Sequence, residues 1–214
     1  MFLFNHFVNI NDRLLTEVKL KNMASLHRAL EILHNQYNIP HVVISSIPLE
    51  AWLFPLPPSI QPDPNVPHLL CITSSRPTPD MPSNSSSIVH VQCVPLIPGY
   101  FSGVGDLFSA LVLAHFHPLE KSGNTSNTPL SEASSQALTK THAILQITHK
   151  QSLSLPEAER LPSDDELDEK EPLRRIKRMK GRELALIHGQ EIIRGNGIQN
   201  FRSMVAWEEF WNII

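Results

Sequence analysis

Apolar residues recur along this 214-residue chain with helical spacing in some segments and in short unbroken runs in others. From Ser25 to His34 they fall three or four residues apart, which predicts an amphipathic helix. The same spacing over 131–149 predicts a second, longer helix. Runs rich in β-branched and apolar residues predict strands over His41–Ile47, His68–Ser74 and Ile88–Leu96.

Proline is dense over residues 48–67, where it excludes a regular helix or a central strand. We therefore predict a loop there, and further loops over 76–87, which is rich in proline and serine, and over 121–129, which is polar. Residues 154–172 are dominated by Asp and Glu, a composition typical of a solvated linker.

The C-terminal region is predicted to return to the core. The sequence ELALIHGQEII, residues 183–193, indicates a last strand, and residues 204–214 predict a short amphipathic helix that docks onto the core. The apolar face of that helix comprises Trp207, Phe210, Trp211 and Ile214. Because strands are separated by helical segments along the chain, we predict an α/β layered domain with a largely parallel sheet.

The charge balance gives no drive toward polyanions. The formal net charge is −3, so neither nucleic acid nor a membrane is predicted as a partner. The basic run over 174–182 could be a nucleic-acid patch, but the preceding acidic run offsets it and no interleaved aromatic residues offer stacking. The N-terminus has no basic flank, no signal peptide is predicted, and no apolar stretch reaches transmembrane length.

The cysteines and histidines indicate neither a disulfide framework nor a metal site. Cys71 and Cys93 lie in apolar runs, so we predict reduced core residues of an intracellular, cytoplasmic or nuclear protein. Among the 11 histidines, His115 and His117 are two residues apart near a predicted helix end and cannot chelate together. No GxSxG sequence is present for acyl transfer.

The stretch 98–116, PGYFSGVGDLFSALVLAHF, carries the most informative chemistry. A turn containing Gly103 and Gly105 leads through Asp106 into an apolar run, which predicts a loop that feeds a buried helix ending near Phe116. The first N–H groups of a helix and its dipole favour a phosphate at such a turn. Asp106 could then accept the proton of an attacking hydroxyl, or it could simply be a favourable acid in a first helical turn.

This stretch resembles the signature of the pyridoxal kinases, in the ribokinase-like superfamily, and looks fungal in type. The aromatic pair Tyr100 and Phe101 precedes G-V-G-D at 103–106, which is followed by L-F-x-A-L. Related hydroxymethylpyrimidine kinases usually have Cys where this chain has Asp106. The resemblance extends from about Leu14 to Ile193.

The resemblance implies a ribokinase-like three-layer α/β/α fold, with residues 14–203 as the C-terminal part of one kinase domain. It implies ATP-dependent phosphorylation of the 5′-hydroxyl of pyridoxal, pyridoxine or pyridoxamine, with Mg²⁺ bound alongside ATP, and a homodimer. Asp106 would deprotonate that hydroxyl. The implied nucleotide contacts are Ser45 and Ser46 on the phosphates, Val94, Pro95 and Leu96 near the nucleotide, and Gly103, Val104 and Gly105 as the anion hole.

Two departures motivate a second hypothesis. The T-P-N-x-x-E element of the family is absent, since the corresponding positions hold His6, Phe7, Val8 and Asn11. Residues 1–13 look unrelated to the family, and its N-terminal half has no counterpart, so the chain is expected to be N-terminally truncated. The alternative is therefore a catalytically inactive remnant that binds nucleotide weakly or serves as an interaction module.

Overall fold

A computed structural model describes residues 18–76, 86–99, 101–118, 127–156, 160, 165–196, 198 and 200–213. Helix α1 covers Met23–Glu31 and continues as a π-helical turn over Ile32–Gln36, which confirms the first predicted helix. It begins where Asn22 accepts a hydrogen bond from the Ser25 backbone N–H at 2.9 Å, while Ser25 Oγ accepts one from the Asn22 N–H. This reciprocal cap fixes the helix start at the point where the apolar spacing begins.

Four strands form one sheet in the order β1-β2-β3-β4. Their bounds are His41–Pro48, His68–Ser75, Ile88–Pro95 and Val205–Ala206, so the three predicted strands are confirmed. The prediction of a largely parallel sheet is wrong for these strands, because every pairing among them is antiparallel. A parallel neighbour needs a crossover, usually a helix, whereas β1 and β2 are joined by loop segments and one 3₁₀ turn over Ala51–Leu53.

Helices α2 to α6 lie between β3 and β4 along the chain. The bounds of these five helices are Val104–His115, Pro129–Ser154, Asp165–Lys170, Pro172–Lys180 and Gln190–Arg194. The predicted helix over 131–149 is confirmed by the longer α3.

Three predictions for the later part of the chain are corrected. The acidic linker over 154–172 is partly helical, because it contains the end of α3 and all of α4. The predicted strand over 183–193 is absent apart from one parallel bridge between Ser102 and Glu183, and its second half forms α6. In place of a C-terminal helix over 204–214, the chain forms β4 and a 3₁₀ turn over Phe210–Asn212. The expectation for residues 1–13 lies outside the described residues.

The chain divides into two compact units. The first comprises 1–96, 111–136 and 202–214, and the second comprises 97–110 and 137–201. The first unit has a core between α1 and the sheet, and the predicted docking of the C-terminal segment is confirmed by buried Trp207 and Phe210 in that core. Trp211 fastens this segment by donating its indole N–H to the Ser87 carbonyl at 2.8 Å.

The second unit is organised around the C-terminal part of α3. Lys140 donates to the Ile193 carbonyl at 2.9 Å, and Thr148 Oγ1 accepts a hydrogen bond from the Ala185 N–H at 3.0 Å. Both contacts fasten the segment 183–194 to α3. Within the described ranges, no helix is both long and apolar enough to cross a bilayer.

Candidate functional site

The glycine turn that precedes α2 is held by backbone contacts within the second unit. The Ser102 N–H donates to the Arg182 carbonyl at 2.8 Å, and Ser102 pairs with Glu183. Gly103 has φ +80, a left-handed conformation that a residue with a Cβ adopts only under strain. The Leu107 N–H then donates to the Gly103 carbonyl at 3.0 Å, which is the first bond of the α-helix. The chain therefore turns sharply at Gly103 and enters α2 at once.

The first turn of α2 presents backbone donors and a carboxylate. Among the described residues, the N–H groups of Gly105 and Asp106 have no hydrogen-bond acceptor. A Cβ on Gly105 would meet no atom within 4 Å, so the space beside this glycine is open. Asp106 is exposed and lies in the first helical turn. This arrangement can accept an anion on the backbone donors and offers a nearby carboxylate as a proton acceptor.

Helix α2 is buried on one face and exposed on the other, so the helix predicted to be buried is only partly buried. Phe108, Leu111 and Val112 are buried, whereas Leu113 is 59% exposed. The buried face fixes the helix, and through it the position of the first turn. Ser109 Oγ donates to the Gly105 carbonyl at 2.7 Å and so keeps a polar side chain on that turn.

Ser45 and Ser46 lie at an irregularity of β1. The pairing register with β2 shifts between Ile44 and Ile47, which marks a bulge. Ser46 is exposed and has φ +63, a left-handed conformation that a serine rarely adopts. The two serines therefore lie inside the strand, two to three residues before its end at Pro48.

The structure brings these serines and the residues at the end of β3 to one end of the sheet. Pro48 pairs with Leu69, and Leu69 pairs with Val94, so the three residues lie abreast. Since β1 and β3 both run antiparallel to β2, their carboxyl ends point the same way, two strand spacings or about 10 Å apart. Ligands of open α/β sheets bind beyond such carboxyl ends.

The remaining residues predicted near a nucleotide are at the exit of β3. Pro95 is the last residue of the strand and pairs with His68. Leu96 is 44% exposed, and its N–H donates to the Pro67 carbonyl at 2.8 Å. This bond fastens the end of the proline-rich loop to the end of β3. The predicted residues thus fall into two groups, the strand-end residues in the first unit and 103–106 in the second.

A protein-built magnesium site is not found in the described part of the chain. No group of three or more His, Cys, Asp or Glu side chains there could hold a metal ion. Mg²⁺ that arrives with a nucleotide takes most of its ligands from phosphate and water.

Sequence reasoning missed the segment that holds the glycine turn. Arg182 and Glu183 contact Ser102 across a long sequence separation, and Leu184 is the nearest side chain to Gly103, with its Cδ1 3.9 Å from a Cβ built there. No local pattern signals such a contact. The sequence predicts a strand over 183–193, but only Glu183 of that segment pairs with another residue, through a single bridge to Ser102.

The chain resembles pyridoxal kinases in sequence. A Schizosaccharomyces pombe protein provisionally named a pyridoxal kinase is 28% identical over 158 residues, which are 72% of this chain and 44% of the yeast protein. No protein-family model matches the chain.

Solved pyridoxal kinases share its fold. The enzyme from Leishmania donovani in complex with ADP and pyridoxamine is 19% identical, with a TM-score of 0.54 over 90% of this chain and 47% of that chain. The pyridoxal kinase from Trypanosoma brucei is 17% identical, with a TM-score of 0.54 and the same coverage. These likenesses confirm the resemblance and the ribokinase-like α/β fold. The chain spans about half the length of the relatives it matches.

Proposed function

We propose that this chain carries the catalytic turn of a pyridoxal kinase, which transfers the γ-phosphoryl group of ATP to the 5′-hydroxyl of pyridoxal, pyridoxine or pyridoxamine. The observation that carries the proposal is the first turn of α2. It combines unpaired backbone donors at Gly105 and Asp106, open space at Gly105 and an exposed carboxylate. The likeness to pyridoxal kinases selects the substrate class.

Asp106 acts as the general base in this proposal. Its carboxylate accepts the proton of the 5′-hydroxyl while the hydroxyl oxygen forms a bond to the γ-phosphorus and the bond from that phosphorus to the bridging oxygen of ADP breaks. The backbone N–H groups of 103–106 stabilise the negative charge on the transferring phosphoryl group, as the anion hole predicted from the sequence. Open space at Gly105 lets the phosphate approach the backbone.

The strand-end residues bind ATP in the same proposal. Ser45 and Ser46 contact the phosphates, and Val94, Pro95 and Leu96 line the nucleotide. Support comes from their shared position at one end of the sheet and from the bulge at the serines, a feature that is over-represented beside active sites. Mg²⁺ bound with ATP would neutralise part of the charge on the phosphates.

The test is a steady-state assay of ADP and pyridoxal phosphate formation by the chain and by Asp106→Asn. Loss of a general base lowers turnover by about 10²- to 10⁴-fold. Nucleotide affinity, measured by equilibrium titration with ADP, should stay within about twofold, because the carboxylate does not hold the phosphates. Glu132→Gln is the matched control, since Glu132 is the first-turn acid of another long helix, and it should leave turnover unchanged.

Each outcome assigns the chain to one hypothesis. Equal turnover by the chain and by Asp106→Asn would remove Asp106 from the mechanism. Nucleotide binding without turnover in the folded chain would favour the non-catalytic alternative, which is also motivated by the length of the chain relative to the kinases it matches. Gly105→Ala separates these cases further, because a methyl group in the anion hole should lower turnover without unfolding α2, while ADP, which lacks the transferred phosphoryl group, should bind as before.

A further inference from the structure

Helix α5 packs with two of its three arginines inward and two large apolar side chains outward. Arg174 and Arg178, one turn apart, are each 9% exposed. Leu173 and Ile176 are 70% and 65% exposed. With about 100° of rotation per residue, Ile176 lies opposite the two arginines and Leu173 lies on the same outer half. The helix therefore directs an apolar ridge to solvent, the reverse of the usual arrangement for a surface helix.

Cationic side chains flank this ridge. Arg175 and Lys177 lie on either side of Ile176 around the helix, and both are exposed. Neither side chain makes a hydrogen bond or an ion pair within the described ranges. Long cationic side chains of this kind extend their charges sideways while their stems stay along the apolar ridge. The outer face of α5 thus has an apolar centre and positive margins.

Three classes of partner could meet such a face, and the observations favour one. Nucleic acid would leave Leu173 and Ile176 without contacts. A hydrophobic groove in another protein reads anchors at i, i+3, i+4 and i+7, but the position seven residues after Leu173 is Lys180. A lipid surface needs only a short apolar ridge at the depth of the headgroups with cations beside it.

We propose that the outer face of α5 binds the surface of an anionic lipid bilayer, with Leu173 and Ile176 at headgroup depth and Arg175 and Lys177 against lipid phosphates. This interaction is independent of the kinase reaction. The net charge of −3 gave no reason to expect a membrane partner, but the charge of the whole chain does not describe this one face. The exposed Glu166 and Glu169 on α4 oppose binding, so the apolar contact is required as well as the charge.

The experiment is flotation of the full chain with vesicles of phosphatidylcholine alone or with about one third phosphatidylserine. The chain should float with the anionic vesicles only, and added salt should weaken the association. Leu173→Ser with Ile176→Ser should reduce the bound fraction by at least about tenfold, since two exposed apolar side chains lose their burial. Arg175→Gln with Lys177→Gln should reduce it by several fold.

A matched control keeps the test specific. Leu113 is 59% exposed but belongs to α2 and not to the outer face of α5, so the Leu113→Ser variant should bind vesicles as the unaltered chain does. Circular dichroism establishes that each variant is folded. Equal binding to neutral and anionic vesicles, no binding by the folded chain, or no effect of the Leu173 and Ile176 substitutions would overturn the proposal. Binding to polyglutamate but not to vesicles would also overturn it, in favour of an acidic polypeptide.

Discussion

Gly189 tests the packing of the second unit, because a single methyl group there should be costly. Gly189 is buried and precedes α6 with φ −99 and ψ 11, a conformation open to alanine. A Cβ at this position would lie 1.9 Å from Ile144 Cδ1. Carbon atoms in contact normally stay about 3.5–4.0 Å apart, so the overlap is about 2 Å. Ile144 is fully buried, so relieving the overlap requires its side chain to change rotamer within the core.

Two effects of Gly189→Ala oppose each other, and their magnitudes decide the sign. Overpacking a core by one methyl group costs about 1–3 kcal/mol. Alanine also lowers the conformational entropy of the unfolded chain, which stabilises the folded state by about 0.4–1 kcal/mol. We therefore expect a net loss of about 1–2 kcal/mol in the free energy of unfolding, a shift of about 0.5–1 M in the urea midpoint.

A double-mutant cycle tests the assigned cause. Ile144→Val removes the clashing Cδ1 and by itself costs about 0.5–1.5 kcal/mol. The remaining contacts of an alanine at 189 would then be ordinary ones, at 3.4 Å, so the double variant should be about as stable as Ile144→Val alone. Gly105→Ala is the control, because its Cβ would meet nothing within 4 Å in a helix, and it should be neutral or stabilising. A stable Gly189→Ala, or no recovery in the double variant, would refute this reasoning.

Two further predictions concern titration. Burial lowers the pKa of His34 below its ordinary 6.5, although its hydrogen bond to the Ile39 carbonyl acts in the opposite direction. At and below the ordinary histidine pKa of 6.5 the unfolded chain therefore binds more protons at residue 34, so urea midpoints should be nearly constant between about pH 7 and pH 8 and fall below pH 6.5, and His34→Gln should reduce the fall. Burial raises the pKa of Cys71 to about 12, and both cysteines are free and buried. Iodoacetamide at about pH 8 should label Cys71 only after unfolding, and rapid labelling of the native chain would contradict its place in the core.

Local patterns were sufficient for the elements whose neighbours in space are also neighbours in sequence. The apolar spacing in α1 coincides with its cap at Asn22, and each of β1 to β3 is a β-branched run between breakers. The direction of pairing is a different kind of property, because it depends on how the connections run. The loop at 48–67 returns the chain to the same end of the sheet, and that return makes β2 antiparallel to β1.

The segment 183–193 shows where periodicity fails. A short apolar run fits a strand or a buried helix equally well, and only its partners decide. Here the Ala185 N–H donates to Thr148 Oγ1, and Gly189 packs against Ile144, so the segment lies along α3. In α5, which of the basic residues point inward likewise depends on the unit that receives the helix.

Backbone strain provides an argument for the nucleotide site that is independent of the family resemblance. Positive φ angles in the described chain occur at glycine or asparagine except at Ser46. Asn38 and Gly195 follow helical segments, where a left-handed residue closes the last turn through hydrogen bonds such as Ile39 N–H to the Leu33 carbonyl. Ser46 has no helix to end. A left-handed serine costs about 1–3 kcal/mol and persists where the surroundings impose it, most often at ligand sites. The strained residue is the serine that the family resemblance places beside the ATP phosphates, so the strain adds support, separate from the resemblance, to the proposed phosphate site.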